Sequence, residues 1–195
     1  MRGKILIVHD NDISKVDFIK KNELLTASAK RNNIALAFKS NSELYTFIDN
    51  DMVKSHDSFH TFDYCLFFNK DMHIAESLEM IGIKVVNNAR AIEKCSNRAI
   101  MYQSLAKHNI NIPKTVVMPD LNNFEDKEIQ EYLTNAINDL GLPMVVKGFF
   151  GTSGRDVFLA RSKEQLFDYV KQMGKREIIL QEYIVEASGS DIRMF

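Results

Sequence analysis

A lysine followed by a glycine-rich loop is the first feature of the sequence that could carry chemistry. Lys147 ends an apolar run, and the loop Gly151-Thr152-Ser153-Gly154 begins four positions later. Glycine lets backbone N–H groups turn toward an anion, and the threonine and serine hydroxyls add further donors. The pattern predicts a phosphate-binding loop, although it matches neither GxxxxGK[ST] nor GxGxxG. A hairpin with a glycine turn and an exposed lysine would give the same pattern.

A second candidate site lies where an apolar strand ends in polar residues. The strand leads into Gln181-Glu182-Tyr183-Ile184, and Asp191 follows further along the chain. These residue types suit a purine nucleoside, since backbone groups could read the base while Ile184 packs on its face. Asp191 could accept hydrogen bonds from the ribose hydroxyls. The alternative is a strand, a turn and a salt bridge between Asp191 and Arg193.

The third candidate is an arginine that shares a helix face with apolar residues. Helical spacing places Arg98 in line with Met101, Tyr102 and Leu105. A guanidinium aligned with an apolar stripe favours an anionic partner, either from the protein or from a ligand. Alternatively, the side chain extends from the start of the helix into water.

In order along the chain, these motifs resemble those of the ATP-grasp superfamily. The string begins at Asn87-Asn88, continues through Arg98 and Ile112-Pro113-Lys114-Thr115, and ends with the Lys147 loop and the Gly189-Ser190-Asp191-Ile192-Arg193 motif. The likeness is closest to RimK-type ligases, which add glutamate or related amino acids to a peptide or small-molecule carboxylate. It implies ATP as the nucleotide, an acyl-phosphate route to a C–N bond, and Mg²⁺ or Mn²⁺ in the full-length protein.

The resemblance also implies roles for individual residues. Lys147 would hold the α- and β-phosphates beneath the glycine-rich loop, and Glu182 and Tyr183 would meet the adenine. Arg98 stands where the family usually has a phosphate-binding lysine, which replaces a point charge by a planar fork. Arg193 could approach the phosphates or the acceptor and is the one catalytic candidate. The implied nucleotide-binding residues are Arg98, Lys147, Gly151, Thr152, Ser153, Gly154, Gln181, Glu182, Tyr183, Ile184 and Asp191.

The segments around these motifs predict two different sheets. Short apolar runs at 5–8, 34–38, 64–68 and 83–86 alternate with helical segments, which indicates a parallel sheet with helices on both faces. Two helices should follow, with Ser96 or Asn97 capping the second. Extended segments at 114–118, 144–147, 157–160 and 178–181, with helices at 125–140 and 163–173, then predict a smaller lobe with an antiparallel sheet.

The expected fold class is therefore α/β, with a parallel pre-ATP-grasp domain followed by the small α+β lobe of an ATP-grasp domain. The predicted boundaries are 1–88 for the first domain, 89–111 for connecting helices and 112–195 for a partial ATP-grasp domain whose C-terminal lobe is missing. The last residues, Ile192-Arg193-Met194-Phe195, resemble the start of a strand with no turn after it, which suggests a truncated chain. No metal ligand is expected within it, so residues 1–195 alone should bind nucleotide weakly and should not catalyse.

Composition and charge narrow the classes of function. The 195 residues are 45% hydrophobic and 26% charged with a net charge of −1, so no overall attraction to nucleic acid or an anionic membrane is expected. Cys65 and Cys95 lack CxxC spacing, which argues against structural zinc and a disulfide-rich secreted domain. No apolar run approaches the ~18 residues of a membrane span, so a cytoplasmic protein is expected.

The expected partners are ATP, a carboxylate acceptor and an amino-acid donor, and an oligomer is compatible with the sequence. Two other interpretations remain open at this point. One is a non-catalytic nucleotide-binding or scaffold protein that lacks the metal-binding lobe. The other is an ATP-grasp ligase of another branch, such as a D-alanine ligase or a glutathione synthetase.

Overall fold

A computed structural model describes residues 3–10, 15–151, 156–174, 176–187, 189 and 192. The chain divides into two compact units, residues 1–93 and residues 94–195. No helix in the described segments is long and apolar enough to cross a bilayer. The strands and helices are β1 (Gly3–His9), α1 (Lys15–Arg31), β2 (Ile34–Ser40), β3 (Thr46–Asp49), β4 (Met52–Ser55), β5 (Tyr64–Phe67), α2 (Met72–Met80), β6 (Lys84–Val86), α3 (Ala89–Ser96), α4 (Arg98–Lys107), β7 (Thr115–Val117), α5 (Asp126–Leu140), β8 (Met144–Gly148), β9 (Val157–Ala160), α6 (Lys163–Met173) and β10 (Ile178–Glu182).

The first unit contains the predicted parallel sheet, with strand order β2-β1-β5-β6. The connections β1–α1–β2 and β5–α2–β6 run in opposite directions along the sheet. Right-handed crossovers therefore place α1 and α2 on opposite faces. Alternate residues of β1 show both faces in use, since Leu6 and Val8 pack in one cluster with Leu78 of α2 while the intervening Ile7 is also buried. The prediction of a doubly covered parallel sheet is confirmed.

A hairpin that the sequence did not predict lies between β2 and β5. Strands β3 and β4 pair antiparallel, with Asp49 opposite Met52, so the turn consists of Asn50 and Asp51. Asn50 has a φ of 56°, a left-handed conformation that asparagine adopts more readily than most residues. The apolar runs predicted from the sequence do not include this pair of strands.

The second unit contains a four-stranded sheet in the order β7-β10-β8-β9, and every neighbouring pair is antiparallel. One face packs against α5 and α6 through a cluster that includes Leu133, Val146 and Leu166. The other face carries α4, where Ala99 packs with Phe149 and Ile179. The predicted antiparallel sheet is confirmed, whereas the three-part division at residues 88 and 111 stays a prediction.

Candidate functional site

Lys147 projects from the sheet face that carries α4. Its neighbours in β8, Met144 and Val146, point into the cluster on the opposite face, and strand alternation turns Lys147 the other way. The side chain is half-buried, and its Nζ donates a hydrogen bond of 2.6 Å to Oε1 of Gln181. β8 and β9 do form the hairpin that was considered as the alternative, but the lysine on it is not exposed as that alternative assumed.

Burial lowers the pKa of the Lys147 ammonium, and the charge of Arg98 lowers it further. Both causes disfavour the protonated form, because the group is partly removed from water and faces a second positive charge. An anion bound beside Lys147 would oppose the effect of Arg98 and raise the pKa of the ammonium. A negatively charged ligand would therefore stabilise the protonated form of Lys147.

Gln181 holds this lysine in place from the neighbouring strand. The residue is only 3% exposed, and among the described residues it is the one polar residue that is buried. Oε1 accepts from Lys147 and from the Tyr102 hydroxyl at 3.4 Å, while Nε2 donates to Oγ1 of Thr115 at 2.8 Å. Because an ammonium only donates, Oε1 must be the atom that faces Lys147, and this fixes the orientation of the amide. The network links β7, β8 and β10.

Arg98 approaches the same region from the first turn of α4. Asn97 caps this helix, since its side chain accepts hydrogen bonds from the N–H groups of Ala99 and Ile100. The backbone N–H of Arg98 donates to the carbonyl of Phe149 at 2.8 Å. Its Nη1 donates to the carbonyl of Gly148, and its Nη2 lies 3.5 Å from the carbonyl oxygen of Gly151. The half-buried guanidinium thus turns toward the loop after β8 and not into water, contrary to the alternative considered above.

Among the described residues, the hydrogen-bond partners of these two cations are neutral oxygens. Lys147 contacts an amide oxygen, and Arg98 contacts two peptide carbonyls. The ion pairs that the described part of this unit does contain involve other residues, for example Arg176 with Asp156. Two half-buried positive charges whose described partners include no carboxylate are suited to an anion that carries more than one negative charge.

The predicted adenine edge begins at the end of β10. The backbone N–H of Glu182 donates to the carbonyl of Lys114, and its Oε1 accepts from the Lys114 N–H at 2.6 Å. Tyr183 is half-buried, and Ile184 is 39% exposed just beyond the strand. An apolar side chain at this point could pack on a planar ring, whereas the Glu182 carboxylate is already engaged by the chain before β7.

Several predicted site residues lie outside the described part of the chain. These are Thr152, Ser153 and Gly154 of the loop, Asp191 and Arg193. Their roles stay predictions, as do the ligand contacts of Arg98, Lys147, Gly151 and residues 181–184. Among the described residues, no group of three or more His, Cys, Asp or Glu side chains could hold a metal ion. The described residues therefore do not fit a magnesium site.

The residues that surround this site also carry a family signature. Residues 95–195 match the family model of the RimK-like ATP-grasp domain. The chain belongs to the RimK-like ATP-grasp family. It is 35% identical over 127 residues to beta-citrylglutamate synthase B of Danio rerio, which covers 65% of this chain and 30% of that protein. It is 32% identical over 124 residues to probable alpha-L-glutamate ligase 2 of Shewanella amazonensis, with 63% and 38% covered.

The chain thus spans about a third of the length of these curated relatives. Among solved structures, it resembles a RimK domain ATP-grasp protein from Sphaerobacter thermophilus, with a TM-score of 0.67 and 19% identity. That likeness covers 93% of this chain and 64% of the other, and it supports the ATP-grasp fold. Arg98, Lys147 and Gln181 all lie within the segment that matches the RimK-like family.

Thr115 belongs to the network but was not a candidate from the sequence. Its hydroxyl accepts from Gln181 and donates to the carbonyl of Pro113 at 2.7 Å. The pairing of Gln181 with Thr115 across β10 and β7 brings them together, although they are distant in sequence. In the sequence, Thr115 belongs to the Ile112-Pro113-Lys114-Thr115 motif and Tyr102 shares a helix face with Arg98. No local pattern connects either residue with Gln181, since that contact depends on the order of the strands.

Proposed function

We propose that this chain provides the nucleotide-binding face of an ATP-dependent carboxylate–amine ligase. The observation that carries the proposal is the pair of half-buried cations, Lys147 and Arg98, whose described partners are neutral oxygens. ATP supplies the multiple negative charges that such a pair favours. Lys147 would contact the α- and β-phosphates, and the loop from Gly151 to Gly154 would cover the triphosphate.

The adenine would lie against residues 181–184, with the exposed Ile184 packing on the ring and Asp191 accepting from the ribose. In the reaction, a carboxylate oxygen of the acceptor would attack the γ-phosphorus and release ADP, which leaves an acyl-phosphate. The amine of the second substrate would then attack the acyl carbon, displace inorganic phosphate and lose a proton. Arg193 is a candidate for contacting the acceptor during these steps.

We propose glutamate as the amino acid and a peptide or small-molecule carboxylate as the acceptor, in the cytoplasm. The names of both relatives given above include glutamate. The Mg²⁺ or Mn²⁺ that the ATP-grasp reaction uses would be held by residues other than those described. A polypeptide that includes a metal-binding lobe as well as these residues would therefore be required for turnover.

Replacing Lys147 tests the nucleotide assignment directly. Lys147→Ala removes a charge-assisted contact that contributes about 1.5–3 kcal/mol, so the affinity for ATP should fall tenfold or more. Isothermal titration at low salt, with the protein in its complete ATP-grasp length, measures the effect. Lys127→Ala is the matched control, because Lys127 is an exposed lysine on α5. Unfolding curves for both variants show whether the loss arises from the contact or from the fold.

Equal dissociation constants for wild type and Lys147→Ala would end the assignment of Lys147. ATP binding without turnover, in a polypeptide with the complete ATP-grasp length, would favour the non-catalytic scaffold instead. The decisive measurement there is glutamate-dependent release of ADP in the presence of carboxylate acceptors. Release with D-alanine but not with glutamate would move the protein to the D-alanine ligase branch.

A further inference from the structure

Arg98 brackets the turn that follows β8 from two sides. Its Nη1 donates to the carbonyl of Gly148, and its Nη2 lies 3.5 Å from the carbonyl oxygen of Gly151. Its own backbone N–H donates to the carbonyl of Phe149 at 2.8 Å. Three of the four residues from Gly148 to Gly151 therefore direct a carbonyl oxygen at one arginine. The Phe149 N–H, which belongs to the same peptide group as the Gly148 carbonyl, donates to the carbonyl of Glu177 at 2.8 Å, so this peptide group is held from both sides.

The close approach of the guanidinium also explains the glycine at position 151. A Cβ added there would lie 2.9 Å from Nη1 of Arg98, closer than Cβ atoms approach other atoms, and 3.1 Å from Nη2. Gly151 therefore leaves room for the guanidinium where it lies, and a larger residue would displace this side chain. This role differs from the flexibility usually attributed to glycine in a phosphate-binding loop.

A lysine could not make this pair of contacts through two different nitrogens. Its ammonium is a single nitrogen on a flexible stem, whereas the guanidinium presents several donors in a fixed plane. Here two different nitrogens of the guanidinium contact the carbonyls of Gly148 and Gly151, an arrangement that the single nitrogen of a lysine does not reproduce. The positive charge would be preserved in either case, so charge alone does not account for the arginine.

We propose that Arg98 is a positioning residue that clamps the turn of residues 148–151 before nucleotide binds. The guanidinium holds the carbonyls of Gly148 and Gly151 at the two ends of the turn, and the backbone N–H of Arg98 holds the carbonyl of Phe149 between them. This inference rests on the proposed function for one point only, that the ligand received by the loop carries phosphates. The clamp itself is a property of the nucleotide-free protein.

The first experiment needs no nucleotide. Hydrogen exchange is compared for wild type, Arg98→Lys and Gly151→Ala, with Arg161→Lys as control because Arg161 is an exposed arginine of the same unit. Exchange in the peptide that covers residues 148–151 should be about tenfold faster in Arg98→Lys, the effect of losing one charged hydrogen bond. Gly151→Ala should have a similar effect. Unchanged exchange in Arg98→Lys would overturn the clamp, whether or not the protein binds ATP.

The second experiment separates positioning from general destabilisation. Dissociation constants are measured for ATP and AMP with the same four sequences, each in a polypeptide of the complete ATP-grasp length. Arg98→Lys should weaken ATP by about tenfold and leave AMP nearly unchanged, because only ATP extends its phosphates along the loop. Equal weakening of both nucleotides would show a merely structural role and overturn the proposal. Wild-type protein that binds neither would overturn the proposed function, while the exchange result would still decide the clamp.

Discussion

Gln181 holds Lys147 through a neutral oxygen, so it positions the lysine without cancelling its positive charge. A glutamate has nearly the same shape and could accept the same hydrogen bond, but it would neutralise the lysine. The amide instead leaves the ammonium unneutralised and available to a second, anionic partner. Its burial costs little, since Oε1 and Nε2 both have hydrogen-bond partners.

Gln181→Glu should therefore weaken ATP binding while it preserves the fold. A carboxylate beside the 2.6 Å contact would form an ion pair with Lys147 and repel the phosphates, so about a tenfold loss in affinity is expected. Isothermal titration of ATP measures it. The control is Gln130→Glu, which adds the same charge on the exposed surface of α5. An unchanged affinity in Gln181→Glu would mean that Lys147 does not meet the phosphates.

The lowered pKa of Lys147 also predicts how binding depends on pH. Phosphates favour the protonated ammonium, so the pKa of Lys147 should rise when ATP binds. Between the lowered pKa of the free protein and the higher pKa of the complex, binding takes up a proton, and the affinity should fall as the pH rises through this interval.

Lys147→Arg provides the control for this pH dependence, since a guanidinium does not titrate in the accessible range. Calorimetry in buffers of different ionisation enthalpy measures the proton uptake. The same shift affects folding with the sign that linkage requires. A depressed lysine pKa means that the unfolded chain binds the proton more tightly, so stability rises with pH across the interval between the folded and unfolded pKa values. A constant affinity across that interval would contradict the coupling.

At the scale of elements, the start of α4 connects helix capping to the site. Asn97→Ala removes the cap that accepts from Ala99 and Ile100, which should lower the free energy of unfolding by about 0.5–2 kcal/mol. Because Arg98 follows immediately, the affinity for ATP should fall as well. Urea unfolding and nucleotide titration on the same samples measure both effects.

Asp71→Ala is the matched control for the cap. The Asp71 side chain caps α2 in the first unit by accepting from the N–H groups of His73 and Ile74. Its removal should cost a similar free energy of unfolding, yet it should leave the affinity for ATP unchanged. If Asn97→Ala loses stability but keeps full affinity, the helix start does not position Arg98 for nucleotide binding.

The elements that the sequence predicted correctly are those with a strong apolar period or a clear end signal. β8 alternates between two faces of its sheet, and α6 begins at a serine cap and ends at Gly174. The hairpin of β3 and β4 has neither signal. Ile48 and Met52 are 80% and 58% exposed, so its apolar residues do not mark a buried face, and its turn lacks the glycine that usually follows asparagine.

The same distinction applies to the candidate site, whose residues can be picked out from the sequence while their contacts cannot. Lys147 and Gln181 stand out in the sequence because each interrupts or ends an apolar strand. Their hydrogen bond cannot be predicted from the sequence, because it depends on the register that places Ile179 opposite Lys147. The contacts of Arg98 with the turn after β8 likewise join residues about fifty positions apart. Local patterns identify which side chains could act, whereas the strand order determines which of them meet.

At the scale of the whole molecule, the described contacts that could hold nucleotide all lie in the second unit. The chain spans about a third of its curated relatives, and its described residues contain no group suited to a metal ion. A nucleotide on this face would therefore rely on hydrogen bonds and screened charge pairs, which contribute little net free energy when water has access to them.

This weak site predicts how residues 1–195 should behave as a purified polypeptide. A ligand that binds only the native state stabilises it by RT ln(1 + [L]/Kd), about 2.7 kcal/mol when the ligand is at a hundredfold excess over Kd. ATP at ordinary concentrations would stay far below that excess, so thermal unfolding should shift little, and Mg²⁺ should change the shift little. No ATP should be consumed with any amino acid. Amino-acid-dependent release of ADP from these 195 residues would contradict the prediction, because transfer of the γ-phosphoryl group would then need a metal site that the described residues do not form.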